Sequence, residues 1–385
     1  MFFPSKAAHL LRIFLLSMTV TAQLLTLVVF SLLHLLPWEA LVIAGCLMVI
    51  LTSCLLRPIR TRRKTAALLS IYGRNLLSLC ITGVCLAGCI LAPTMGGTLS
   101  AMFGSRDLGA APSVTPNHSA MDAFGIYLSG SDDRDGRLTK SRSDVNIIAI
   151  VNPAHQQILL VNTPRDTYIS NPAASNAMDK LAHCSLYGTD NSRLALSHLY
   201  NIPIAYAAQI NFNGFEHLID ALGGVTVYSD TAFTTTIGGY AIQAGENKLN
   251  GAKALAFARE RSKLTAGDIS RGSNQMQLLA ALVTRASPRT IITNYLEILS
   301  SLEGMFATDM PLQTITTLVT TEADDLNNWE ILTYSVTGTD GTDYNYSAKS
   351  YAYVLYPDAN SVSHASALMQ RMLEGNALSA DDVNR

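Results

Sequence analysis

The sequence predicts an α/β protein in two parts, three membrane-spanning helices followed by a three-layer α/β domain outside the membrane. Composition and charge distribution predict the first part. The chain has 385 residues, 49% of them hydrophobic and only 15% charged, whereas about a quarter of the residues of soluble proteins are charged. Its net charge of −2 conceals a split. Residues 1–96 hold eight Lys/Arg (Lys6, Arg12, Arg57, Arg60, Arg62, Arg63, Lys64, Arg74) and one acid, Glu39, while the remainder holds 19 bases against 28 acids, a net −9. Alternation between strand and helix periods after residue 120 predicts the second part. A soluble cytosolic enzyme is excluded, and so is a nucleic-acid-binding main domain, which would be basic.

Three uncharged runs, 13–36, 40–56 and 76–95, approach or exceed the length that spans a hydrocarbon core. Three in succession do not fit a cleaved secretory signal. The link between the second and third, RPIRTRRK with Arg74 beyond it, is basic, and the link Pro37-Trp38-Glu39 has no base. The positive-inside rule therefore places the N-terminus and 57–74 in the cytoplasm, and everything after about residue 97 outside. Residues 97–121, entered through Gly96-Gly97 and with Pro112 and Pro116 within, read as a linker, leaving 122–385 as the outer domain. Five of the six cysteines fall in the spans; Cys184 alone lies outside, so the domain has no internal disulfide.

In the outer domain, Phe124, Ile126 and Leu128 alternate, and apolar runs follow at 145–151 and 158–161. The links are short, which predicts an antiparallel meander. In a meander the end of the first strand, the start of the second and the end of the third share one edge, so Asp132, Asp144 and Arg165 should converge. Helical patterns follow at 178–187 and 191–200, then a strand at 205–210, a helix at 212–222 stopped by Gly223-Gly224, and a strand at 225–228. Residues 270–286 read as a longer helix, 329–336 and 351–356 as strands, and 362–373 as a closing helix. Gly238-Gly239 reads as a hairpin turn.

The segment LAFARERSK (255–263) has two readings. As a strand it points Arg259 and Arg261 the same way; as a helix they stand about 200° apart. Arg271 and Gln275 are four apart on one helical face. With Arg142 and Arg165, five arginines gather in a domain of negative net charge. That pattern suits a polyanion, because the guanidinium fork matches phosphate oxygens. Asp132 and Asp144 at the same edge suit a hard divalent cation that shares its shell with substrate phosphates.

These segments resemble the LytR-CpsA-Psr family. The matching runs are GSDDR (130–134), RSDVNIIAIVNP (142–153), NTPRDTYI (162–169), MDKLAH (178–183), INFNGFEHLIDALGGVTV (210–227), LNGAKALAFARER (249–261) and GDISRGSNQ (267–275). The resemblance covers about 120–290, and its three N-terminal spans are similar to the capsule-attachment branch; 97–121 is too short for that branch's accessory domain. It implies an α/β/α domain around a central mixed sheet in a Gram-positive-type envelope. It also implies transfer of a phosphoglycosyl group from a polyprenyl-diphosphate-linked glycopolymer to a peptidoglycan sugar hydroxyl, attaching capsule, teichoic acid or a related polymer. Envelope biosynthesis proteins are implied partners. By the same resemblance Asp132 and Asp144 hold magnesium, or manganese. Arg142, Arg165, Arg259, Arg261 and Arg271 hold the diphosphate with Gln275 beside them, and Lys180 matches the lysine of the family's K-I-N motif. The resemblance also places the lipid tail in an apolar tunnel below the sheet. The resemblance further implies that Arg165 and Arg271 carry catalysis with Asp166, which is either the base for the acceptor hydroxyl or the group that orients an arginine. Ala182, Asn274 and Met276 depart from the family pattern.

No HxH or HExxH spacing, nucleophile elbow or phosphate loop is present. The competing reading is a non-enzymatic membrane sensor or scaffold that binds lipid-linked glycans.

Overall fold

The computed structural model describes residues 19–23, 80–82, 85, 122–133, 138, 140–261, 268–285, 298, 302–311, 314–315 and 329–384. Met1–Ser100 and Ala101–Arg385 form separate compact units. In the first, 19–23 and 80–82 are helical, and the Thr19 and Thr82 hydroxyls lie 3.2 Å apart. Among the described residues no helix is long and apolar enough to cross a membrane. Apart from those few positions, the expected spans, the basic loop and the 97–121 linker lie outside the described residues.

The second unit runs β1 (Phe124–Ser131), β2 (Ser143–Asn152), β3 (Gln157–Asn162), β4 (Tyr168–Asn171), β5 (Ala177–Lys180), α1 (Leu181–Cys184), α2 (Thr189–Tyr200), β6 (Tyr206–Asn211), α3 (Phe212–Ala221), β7 (Val225–Ser229), β8 (Phe233–Thr234), β9 (Ala241–Ile242), β10 (Gly245–Leu249), α4 (Gly251–Arg259), α5 (Asp268–Arg285), β11 (Phe306–Thr308), β12 (Glu330–Ser335), β13 (Gly338–Asn345), β14 (Ser350–Pro357), α6 (Ala359–Leu373) and α7 (Ala380–Val383). The central sheet has the order β11-β6-β1-β2-β3-β12. It is mixed: β1–β2, β2–β3 and β6–β11 are antiparallel, and β1–β6 and β3–β12 are parallel.

Burial on both faces explains the near-continuous apolar runs of β2 and β3. On one face Ile148, Ile150, Leu159 and Val161 pack with Leu196 of α2 and Leu368, Met369 and Met372 of α6. On the other, Ile147, Ala149 and Leu160 pack with Met276 and Leu279 of α5. A third cluster joins α3, α4 and α5 through Ile219, Phe257 and Leu278. Side-chain caps start four of the described helices: Asn211 accepts from Gly214 N, Asn250 from Lys253 N, Asp358 from Ser361 N and Ser379 from Asp382 N. Gly223 and Gly224, at φ 78° and 88°, end α3 in a conformation that suits glycine.

The expected meander is present, and the Gly238-Gly239 turn joins β8 to β9. Two readings are corrected. The helix expected at 178–187 begins instead as strand β5, paired with β4, and turns helical only at Leu181. There the buried Asp179 and the register with Tyr168–Asn171 override helix periodicity. LAFARERSK is helical through Arg259 and Glu260 is extended (φ −68°, ψ 133°), so neither reading describes the whole of 255–261; Ser262 and Lys263 lie outside the described residues. β13, GTDGTDYN, gave no apolar signal; its pairing with β14 makes it a strand.

Candidate functional site

The convergence expected of the meander is observed. Ser131 pairs with Ser143 and Ile147 with Asn162, which brings the residues after β1, at the start of β2 and after β3 to one edge. A buried network fixes that edge: Tyr127 donates to Asn146 Oδ1 at 2.6 Å, as does Ser143 Oγ at 2.7 Å, and Thr163 N bonds Asn146 O at 2.9 Å. Pro164 to Thr167 form a turn, closed by Thr167 N and Oγ1 on Pro164 O, and Ala182 N holds the Arg165 carbonyl at 2.9 Å. Arg165 therefore projects from a rigid base. Its Nη1 lies 2.7 Å from Asp144 Oδ1, and its Nε is 3.5 Å from Asp166 Oδ2.

Asp144, Arg165, Arg259, Arg261, Arg271 and Gln275 line one cleft of about 240 Å³, together with Phe212, Thr236, Ile237 and Glu260. Arg259 ends α4, and its guanidinium lies 4.7 Å from the centre of the Phe212 ring and 3.4 Å from Asp132 Oδ2. α5 is tied to the end of α4 by Asn274 Nδ2 on Phe257 O and by Gln275 Nε2 on Ala258 O. Glu260 is 2% exposed; its carboxylate accepts from Thr236 N and Oγ1 and from Arg261 N. That anchors the extended step between Arg259 and Arg261 and lets both reach the cleft.

Four guanidinium groups face two carboxylates there, a positive spot in a negative domain, and they suit an anion with several oxygens. Beneath it lies a second cavity of about 190 Å³, almost wholly apolar, between the sheet and α3, α4 and α5. Leu128, Val145, Ala208, Phe215, Leu255 and Leu279 are among its walls. The two cavities share Phe212, Arg259 and Gln275, so the apolar space opens beside the guanidinium cluster.

Not every expected residue reaches the cleft. Arg142 is exposed next to the start of β2 and is not among the lining residues. Lys180 points to Asp166 at 2.8 Å, and that carboxylate therefore sits between Lys180 and Arg165, outside the lining. In this arrangement Asp166 orients two cations. Phe212, Thr236, Ile237 and Glu260 were not anticipated; only Glu260, between two arginines, left a signal in the sequence. Two of the departures have local roles, Asn274 joining α5 to α4 and Met276 packing in the core; at the buried Ala182 only the backbone N, which other residues would also supply, meets Arg165.

Beside the cleft, Asp179 is fully buried and accepts from His183 Nδ1 at 2.6 Å, Ser347 N at 2.9 Å and Lys180 N at 2.9 Å. Burial alone would raise its carboxyl, but the His183 and Ser347 hydrogen bonds outweigh it and hold the group below the ordinary value. Burial and the nearby Asp179 charge push the Cys184 thiol up to about 12, so it stays an inert thiol.

A family model described as the LytR_cpsA_psr family matches residues 103–364. The chain is 36% identical over 214 residues to the polyisoprenyl-teichoic acid–peptidoglycan teichoic acid transferase TagU of Oceanobacillus iheyensis, covering 54% of this chain and 65% of that protein. It is 28% identical over 256 residues to the protein of the same name from Bacillus subtilis, covering 66% and 81%. The chain thus spans just under two thirds of the O. iheyensis relative. The crystal structure of B. subtilis TagV matches with a TM-score of 0.54 at 25% identity, over 67% of this chain and 99% of that one. A structure of TagT bound to LIIa-WTA matches in fold, with a TM-score of 0.55 at 21% identity over 73% and 99%.

Proposed function

The chain belongs to the LytR_cpsA_psr family, and from that membership we propose that it is a transferase attaching a teichoic acid, capsule or related glycopolymer to peptidoglycan. The donor is a polyprenyl-diphosphate-linked glycan and the acceptor a peptidoglycan sugar hydroxyl. The names of the curated relatives support a polyisoprenyl-linked teichoic acid as donor and peptidoglycan as acceptor. One observation carries the reading: an apolar cavity opens beside four arginines through the shared Phe212, Arg259 and Gln275. That combination fits an amphiphile with an apolar tail and a charged diphosphate. The charge split of the sequence supports an anchor in the cell membrane with the domain outside.

In the reaction the acceptor oxygen forms a bond to the glycan-bearing phosphorus, the bridging P–O bond breaks, and polyprenyl phosphate leaves. Arg165, Arg259, Arg261 and Arg271 position the diphosphate and neutralise the charge that grows on the leaving oxygen. A loose phosphoryl transition state demands little of a base. The hydroxyl proton ends on the new terminal oxygen of the departing polyprenyl phosphate, so the step balances without a dedicated protein base. Asp166 holds Arg165 in place.

Among the described residues no group of three or more His, Cys, Asp or Glu could hold a metal. Asp144 lines the cleft, and Asp132, outside the lining, meets its Arg259; each spends one oxygen on an arginine, and two such carboxylates would suit magnesium or manganese completed by substrate phosphates. When bound, the cation neutralises phosphate charge. Chelation should abolish transfer by the purified full-length protein and magnesium should restore it; turnover indifferent to chelator would remove the metal from the reading.

The tail assignment has a direct test. Ala208 lines the apolar cavity, and Ala208→Trp should fill it. Affinity for geranylgeranyl diphosphate should fall by about tenfold or more, while affinity for inorganic diphosphate stays put. Equal losses for both ligands would show that the cavity takes no tail.

A further inference from the structure

The hairpin of β13 and β14 stands next to the cleft and has a marked asymmetry between its faces. Paired residues share a face, and one face carries Tyr344 with Tyr351, Thr342 with Tyr353, and Asp340 with Leu355. The opposite face carries Val354, which is fully buried. Tyr351 is 74% exposed, and Tyr344 and Tyr353 are also exposed. Three exposed aromatic rings on one face are unusual for a surface with nothing to bind.

The rings are ordered. Tyr344 and Tyr351 meet edge to face at 5.7 Å, and Tyr353 donates to Asp340 Oδ1 at 2.8 Å. Lys180 Nζ lies 5.6 Å from the centre of the Tyr353 ring. The hairpin is fixed to the body by Leu355 N on Asp166 O and by Tyr168 Oη on Tyr344 O. A line of contacts therefore runs from the apolar cavity through Arg259 to the cleft, then through Arg165, Asp166 and Lys180 to Tyr353.

We propose that the outward face of this hairpin, Tyr344, Tyr351 and Tyr353 with Asp340 and Thr342, binds a saccharide chain, namely the peptidoglycan strand that serves as acceptor. The inference rests on the transferase reading. Pyranose rings offer apolar C–H faces that lie flat on aromatic rings, and their hydroxyls bond to carboxylate and hydroxyl groups at the rim. Position decides between acceptor and donor. Attacking and leaving oxygens stand roughly in line across phosphorus. The apolar cavity meets the cleft at Phe212, Arg259 and Gln275. Arg165 lines the cleft alone, next to the Asp166 carbonyl that holds Leu355 N of the hairpin, so a tail in that cavity leaves the Arg165 side to the attacking hydroxyl.

The full-length protein in detergent is titrated with a tetrasaccharide of alternating N-acetylglucosamine and N-acetylmuramic acid, free of lipid and phosphate. The Tyr351→Ala/Tyr353→Ala protein should bind it about tenfold more weakly or worse. Tyr351→Trp should retain binding, and geranylgeranyl diphosphate affinity should be unchanged in both. No binding by the wild type, or equal binding by the double variant, overturns the proposal. So does a double variant that loses adhesion to phosphatidylglycerol vesicles and keeps the tetrasaccharide. Arg165→Ala separates the two ideas: if it leaves geranylgeranyl diphosphate affinity intact, the transferase reading fails, whatever the tyrosines do.

Discussion

Arg165→Ala should lower glycopolymer transfer by about a thousandfold or more, the scale on which a single arginine acts in phosphoryl transfer. The side chain is held by Asp144 at 2.7 Å and Asp166 at 3.5 Å, and its carbonyl by Ala182 N. It meets the transition state without rearrangement, which is what makes electrostatic stabilisation effective. Stability should change little, because the Arg165–Asp144 pair is partly exposed and such pairs contribute under about 1 kcal/mol. Arg165→Lys keeps the charge and loses the planar fork, so it should recover only part of the activity. The readouts are transfer of a prenyl-diphosphate-linked oligosaccharide to peptidoglycan and the thermal midpoint. Normal attachment by a folded Arg165→Ala protein would instead favour the non-enzymatic scaffold.

That Arg165 could be found without a structure follows from topology. An antiparallel meander forces the end of β1, the start of β2 and the end of β3 to one edge, and the apolar runs were clear enough to count three strands. Arg259 and Arg261 were legible as a pair but not as a geometry, since the helix stops at the residue between them. The stop depends on Glu260, whose partner Thr236 lies 24 residues away and leaves no local trace. The apolar cavity was illegible for a related reason. Its walls, such as Leu128, Ala208 and Leu279, have the same composition and period as core, and only the space left between sheet and helices distinguishes them. Asp166 and Lys180 show the limit of motif transfer: the residues match, yet they face each other just outside the cleft lining. β13 escaped notice because its sequence is polar; what makes it a strand is its partner.

Asp179→Ala should destabilise the outer domain by about 3–5 kcal/mol, the usual cost of removing one member of a buried pair. Asp179 is fully buried, and its loss strands the His183 ring, Ser347 N and Lys180 N without an acceptor. With the carboxylate ionised, His183 Nδ1 carries the proton of the 2.6 Å hydrogen bond. The carboxyl is held below its ordinary value in the folded protein, so its contribution is complete above the unfolded pKa of about 3.9 and fades as pH falls through the lower folded value. The stability gap between wild type and variant should therefore be flat near neutrality and narrow only below about pH 4. The same carboxylate joins β5 to the turn of the β13–β14 hairpin through Ser347, so its removal should loosen the hairpin before the sheet melts. Trypsin should then cut at Lys349, in that turn, faster than in the wild type. Urea titrations at pH 7 and about pH 3 together with limited proteolysis measure both effects. A variant as stable as the wild type, with Lys349 equally protected, would mean that Asp179 does not hold the hairpin against the body of the domain.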